Sequence, residues 1–145
     1  METSGSGLTA QRLRMDIISN NIANADTTRS GNVDGNGVPL PYRREFPVFT
    51  AVDFNQFLQS ADSNTAGSAI PGVRVTAIAE DSSPFPTVYN PGHPDANAQG
   101  YVQMPNVNTA QEMVDMIDAS RAYEANISAL DASKAMCTHA LDIGK

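Results

Sequence analysis

Between Asn108 and Gly144 the chain carries its most regular pattern of apolar positions. Met113, Met116, Ser120, Tyr123, Ile127, Leu130, Lys134, Cys137 and Leu141 recur at alternating spacings of three and four. A seven-residue repeat of this kind marks a helix that runs along another helix. Asn108 is a capping residue type at its start, and Gln111 three residues on completes a capping-box pattern. Neither glycine nor proline interrupts the repeat before Gly144. Roughly thirty-five helical residues make a rod about 52 Å long at 1.5 Å per residue. A compact chain of 145 residues has a radius of gyration of about 15 Å, hence a globule about 40 Å across. The predicted helix is longer than such a globule, so something beyond its own domain must cover it.

The other faces of this helix carry Ala110, Ala119, Ala122, Ala125, Ala129, Ala132, Ala135 and Ala140. Alanine is the best helix former, which is one explanation. The other is close approach of several neighbours, because a helix apolar on many sides is normally buried on many sides. A second amphipathic helix is predicted near the start. Leu8, Met15, Ile18 and Ile22 form its stripe, and Leu13 and Ile17 widen it. It begins after Ser6 and Gly7, with Ser4 or Ser6 as cap, and spans about eighteen residues or about 27 Å. Asn20, Asn21 and Asn24 crowd its last turns, although asparagine is a poor helix former. They form either a frayed turn or a set of amides that bond to neighbouring backbones.

Between the helices the pattern changes. Residues 31–41, GNVDGNGVPLP, are loop by composition, and Asn36-Gly37 is a hairpin-type turn signal. Tyr42 to Val52 reads as a strand or extended arm. Within residues 53–72, Phe54, Phe57 and Leu58 fit one helical turn, while SADSNTAGSAIPG fits a flexible link. Val73 to Ala79 alternates as a strand, an extended run passes through Val88-Tyr89, and Tyr101 to Met104 is a last short strand. The expected fold class is therefore α+β. Terminal helices in residues 1–30 and 106–145 pair in a coiled-coil-like core, and residues 31–105 form a small, mostly β domain with loops.

Charge and chemistry narrow the function. The formal net charge is −7, with about +1 on residues 1–44, −5 on 45–105 and −3 on 106–145. No segment is a basic stripe, which argues against nucleic-acid partners and anionic membrane surfaces. The single cysteine, Cys137, excludes an internal disulfide and a cysteine-based zinc site, and on a heptad position it is a small hydrophobe. No apolar run has the length of a membrane span. The start METSGSGLTAQ lacks a charged region followed by an apolar core, so no cleavable signal peptide is expected. His93 lies two residues before Asp95 in Pro91-Gly92-His93-Pro94-Asp95, which suggests either a metal ligand or an exposed turn histidine. The turn is the expectation, since two isolated histidines make no zinc site. Glu80 and Asp81 are adjacent strand residues that point to opposite faces, and they read as solvated charges. No hydrolase nucleophile context, phosphate loop or EF-hand spacing is present. No cofactor, metal site or catalytic residue is expected, and the chain is not read as an enzyme.

One further set of segments carries a resemblance. LTAQRLRMDIIS followed by Asn20-Asn21-Ile22-Ala23-Asn24-Ala25-Asp26-Thr27-Thr28 resembles the N-terminal signature of bacterial flagellar rod and hook proteins. Within that family, several segments in order resemble the proximal-rod branch. They are Pro41-Tyr42-Arg43-Arg44, Val75-Thr76 through Glu80-Asp81, VYNPGHPDAN, Gly100-Tyr101-Val102, Pro105-Asn106-Val107-Asn108, EMVDMIDASRAYEAN and the final ALDIGK. Tyr42 arriving only after the glycine-rich stretch is usual for that branch. The resemblance implies a structural subunit of the flagellar basal-body rod, needed for swimming and exported uncleaved by the flagellar type III apparatus. Its implied partners are other rod proteins, copies of itself, and basal-body ring or adaptor components. Its location is then the rod, in the periplasm of a Gram-negative cell. The residues expected at helix-packing subunit interfaces are Leu8, Leu13, Met15, Ile17, Ile18, Asn21, Ile22, Asn24, Met113, Met116, Tyr123, Ile127, Leu130, Met136 and Leu141. The alternatives are another rod or hook member, a soluble coiled-coil adaptor, and an enzyme using His93, Asp95 and Glu80. A rod subunit is further expected to keep both end helices mostly disordered until it assembles, because packing supplies most helical stability.

Overall fold

The computed structural model describes residues 2–31, 39–52 and 72–144. The Asn36-Gly37 turn lies outside the described residues. So do the Phe54–Leu58 helical turn and, apart from Gly72, the SADSNTAGSAIPG link. Helix α1 spans Glu2–Ala23, strands β1 and β2 span Glu45–Val52 and Gly72–Glu80, and strands β3 and β4 span Thr87–Tyr89 and Tyr101–Gln103. Helix α2 then runs unbroken over 35 residues, Thr109–Ile143. The class is α+β: the two terminal helices pack together and a small central region holds short antiparallel strands. The strands form two ribbons, β1 with β2 and β3 with β4.

The start of α2 follows its sequence. Asn108 Oδ1 accepts from the backbone N–H groups of Ala110 and Gln111, at 3.1 and 3.3 Å, and so satisfies donors that a helix start leaves open. Gln111 turns instead towards Asp115, at 3.5 Å.

Helix α1 departs from its sequence reading. It begins at Glu2 and has 22 residues, running through Gly5 and Gly7. Ser6 does not cap it: its Oγ donates to the Thr3 carbonyl at 2.8 Å, one turn back inside the helix. Tertiary packing overrides the glycine propensity here. A Cβ on Gly7 would lie 3.2 Å from Asn126 Nδ2 of α2, a tight contact that the bare glycine avoids.

Contacts divide the described residues into two compact units. One holds residues 2–15, 47–52, 72–77 and 117–144. Its buried positions are Ala10 and Ala119. Ser6 Oγ accepts from the Val73 N–H at 3.2 Å, and the Thr50 and Thr76 hydroxyls meet at 3.1 Å across β1 and β2.

The other unit holds residues 16–31, 39–46 and 78–116. It buries Ile17, Ile18, Asn21, Val102 and Glu112. Strands β3 and β4 pair with Thr87 opposite Gln103, Val88 opposite Val102 and Tyr89 opposite Tyr101. The two tyrosine rings meet edge to face at 5.3 Å. Gly100, with φ of +82°, turns the chain beneath Tyr89, where a Cβ would lie 2.9 Å from the ring. Both the backbone angle and the space require glycine there.

Candidate assembly interface

The asparagines that end α1 take up both roles open to them. Asn24 makes a turn: its side-chain amide donates to the Asn20 carbonyl at 3.0 Å, and the Thr27 hydroxyl donates to its Oδ1 at 3.2 Å. Asn21 bonds across the unit. Its Nδ2 donates to the Glu45 carbonyl at 2.8 Å and to Glu112 Oε2 at 3.1 Å. Its Oδ1 accepts from the Glu45 N–H and from the Tyr42 hydroxyl, both at 3.0 Å. All four hydrogen-bonding positions of this amide are filled, which is how a side chain only 1% exposed avoids the cost of burial.

Glu112 is the other half of the cluster. Its carboxylate, on a residue 0% exposed, sits on the first turns of α2. Oε1 accepts from Arg44 Nε at 2.6 Å, a charge-assisted bond, while Oε2 takes the Asn21 amide. Arg44 also comes within 3.9 Å of Asp115 and 4.0 Å of Asp81. Its backbone N–H donates to Asn106 Oδ1 at 2.8 Å, and Asn106 Nδ2 reaches the Asp81 carbonyl at 3.2 Å. Burial first, then the carboxylates of Glu45, Glu112 and Glu80, raises the Tyr42 hydroxyl above the usual tyrosine range. It therefore stays protonated and keeps donating to Asn21. The end of α1, the chain entering β1 and the beginning of α2 are thus held by one polar cluster.

Burial along α2 within the chain only partly follows the predicted repeat. The buried or half-buried positions of α2 are Glu112, Asp115, Met116, Ala119, Ser120, Ala122, Tyr123, Asn126, Leu130 and Ser133. Met116, Ser120, Tyr123 and Leu130 belong to the predicted repeat; Glu112, Ala119, Asn126 and Ser133 lie one residue off it. Met113 is 54%, Ile127 39% and Leu141 72% exposed, and Met136 is exposed too. Cys137, read as a buried small hydrophobe, is also exposed. On α1, Leu8, Leu13, Met15, Ile22 and Asn24 are half-buried, while Ile17, Ile18 and Asn21 are buried within the chain. Val114, Ile117 and Ile143 add further exposed apolar side chains to α2. Of the eight alanines on this helix only Ala119 is buried.

The remaining candidate chemistry resolves into ties between loops. His93 is half-buried rather than exposed, and its Nδ1 accepts the Asp95 N–H at 3.1 Å. Asp95 accepts from Arg29 Nε at 2.6 Å and from the Thr28 hydroxyl at 2.9 Å. The Arg29 hydrogen bond is the main reason its carboxyl lies below the usual aspartate range. Asp81 is not simply solvated: the Ser83 hydroxyl and N–H both donate to its Oδ1, at 2.6 and 2.9 Å, and pull its carboxyl down. Glu80 is solvated, 68% exposed and 3.9 Å from Arg43. Among the described residues, no group of three or more His, Cys, Asp and Glu is placed to hold a metal ion. No helix among them is long and apolar enough to cross a membrane.

Comparison with known proteins bears on what such a surface serves. Residues 1–29 match the family described as "Flagella basal body rod protein", and residues 98–143 match "Flagellar basal body rod FlgEFG protein C-terminal". The flagellar basal-body rod protein FlgC of Bacillus subtilis is 49% identical over 147 aligned positions, covering 100% of this chain and 96% of the relative. The chain belongs to the FlgC family. The family's members in Borreliella burgdorferi and Salmonella typhimurium are 45% and 38% identical, each aligned over 99% of this chain. These FlgC relatives are structural rod proteins, not enzymes. Within this FlgC-family chain the asparagine-rich signature of α1 and the Glu112 segment of α2, 91 positions apart, meet in one hydrogen bond.

Proposed function

We propose that this chain builds the flagellar basal-body rod by presenting the outer faces of its paired terminal helices to neighbouring subunits. Its place as a structural subunit of that rod follows from its family. The observation that carries the finer reading is the run of large apolar side chains left exposed on α2, namely Met113, Val114, Ile117, Ile127, Met136, Leu141 and Ile143. So much apolar surface on one helix is characteristic of an interaction face. Neighbours covering it gain about 25 cal/mol per Å² of apolar area removed from water. Those neighbours are other rod proteins and copies of this chain, with ring or adaptor components at the ends of the stack.

The same reading includes passage out of the cytoplasm through the flagellar type III apparatus without cleavage, and residence in the periplasm of a cell with an outer membrane. Sequencing the N-terminus of the chain from purified basal bodies tests this; a trimmed start would count against uncleaved export. For the interface, the test is Ile127→Asp. The aspartate would sit in an interface without a partner, at a cost of roughly 3–5 kcal/mol. The chain should still be made while swimming is abolished. Normal swimming would remove this face of α2 from the assembly.

A further inference from the structure

Beside the polar cluster, and wholly within the unit of residues 16–46 and 78–116, lies a half-open cavity of about 220 Å³. Leu40, Pro41 and Phe85 give it apolar walls, and Glu45 and Glu80 bring two carboxylates to it. Glu45 meets Asn21 through its backbone alone, and no described residue pairs with its carboxylate. Glu80 is 68% exposed, with Arg43 3.9 Å away. Arg43 is engaged elsewhere: its guanidinium lies 4.6 Å over the Phe85 ring and donates to the Asp81 carbonyl at 2.9 Å. The sequence of this unit holds nine acids against three arginines. The other two arginines are bound to Asp95 and Glu112. After burial, the carboxylates of Glu45, Glu112 and Glu80 hold the Tyr42 hydroxyl in the cavity wall above the usual tyrosine range. The cavity therefore joins apolar walls to negative charge that the unit does not itself balance.

We propose that this cavity receives the Lys134 side chain of a second copy of the chain. A lysine suits both features at once, laying its alkyl stem along apolar walls while its ammonium meets carboxylates. The volume is that of about seven waters, room for one such side chain. A further arginine suits it less, since Arg43 already holds the stacking place on Phe85 that a guanidinium favours. Lys134 is the one lysine among the described residues. It is exposed on α2, and no described acid forms an ion pair with it, although Asp131 stands one turn back. Ile127 and Leu141, seven residues to either side, are exposed on the same face. The lysine thus stands within the apolar face of the rod-subunit reading above, and the inference rests on that reading. Cavity and lysine are different patches of one chain, so the contact is head-to-tail. Repeated, such contacts build rings or open helical stacks.

Cross-linking between copies reads the contact. In a Cys137→Ser background, cells make copies carrying Glu80→Cys together with copies carrying Lys134→Cys. Each copy then holds one thiol, so no link within a copy can form. A short bis-maleimide applied to their purified basal bodies should join the two as a dimer, at least fivefold above either variant alone. No dimer, or a link to another rod protein instead, would overturn the second copy as occupant. Charge exchange tests the chemistry. Lys134→Glu and Glu80→Lys should each cut swimming in soft agar at least fivefold, and both together in one chain should restore at least half of it. Unimpaired swimming of either single variant, or no recovery in the double one, would overturn the ion pair. Failure of the rod-subunit reading would show differently, as absence of the unmutated chain from purified basal bodies.

Discussion

The two ends of α2 are built on opposite principles. At its start Asn108 caps the helix, and Glu112 is fully buried in bonds to Arg44 and Asn21. From residue 134 to its end every described side chain is exposed, and Met136, Leu141 and Ile143 lie among them. The first end is rich in directional contacts and is satisfied within the chain. The second is apolar, which is non-directional, and stands exposed. Where a partner is present, polar groups can be afforded because each has a bond waiting; where the partner comes later, the surface that awaits it is apolar.

The sharpest way to break the contrast is to remove the acid at the polar end. Glu112→Ala leaves Arg44 and Asn21 without their shared acceptor, and should destabilise this unit by about 3 kcal/mol. With no tryptophan in the chain, tyrosine fluorescence follows its denaturant midpoint. An unchanged midpoint would mean that the cluster holds nothing. Hydrogen exchange on dilute monomer sharpens the same comparison. Residues 8–24 and 109–141 should exchange faster than the strands between 42 and 104, and within α2 the fastest amides should lie beyond residue 133. Uniform strong protection along α2 in a verified monomer would favour a self-sufficient coiled-coil protein.

Smaller effects belong to the Arg29–Asp95 tie, the weaker clasp of the same unit. The folded-state pKa of Asp95 lies below its unfolded value. Its contribution is therefore present in full above the ordinary aspartate range and is lost as pH falls through the lowered folded value. An NMR titration of the Asp95 carboxyl should show that low midpoint, and Arg29→Gln should move it back up towards the usual range. The smallest effect is expected for His93→Ala. It removes one acceptor for the Asp95 N–H at 3.1 Å and should leave swimming near normal in a soft-agar assay.

Much of this was legible in residues alone. Asn108 as a cap, an unbroken helix up to Gly144, an extended segment over 42–52, a strand over 73–79, an extended run through 88–89 and a short strand over 101–104 were read from local patterns, and each falls on an observed element. Asn21 was recognisable as an unusual helix residue, and the family signature marked it. Its partners were not: Arg44 and Glu112 stood only as members of two separate recognised segments. The signal that would have found Glu112 is that the neighbouring seam, with Ala119 and Asn126, is as regular as the apolar one.

The sequence by itself determined the elements, their order and the length of α2, because capping, proline and glycine placement and periodicity act over a few residues. Two matters were decided only by the tertiary structure. Gly7 lies inside α1 despite its poor propensity, with the Asn126 side chain of α2 packed where its Cβ would stand. The face that α2 turns inwards was open, since a helical period permits two seams one residue apart. In the folded chain Arg44, 68 positions away, and Asn21, 91 positions away, meet one carboxylate on the inward face. Periodicity along one segment carries no information about partners so distant.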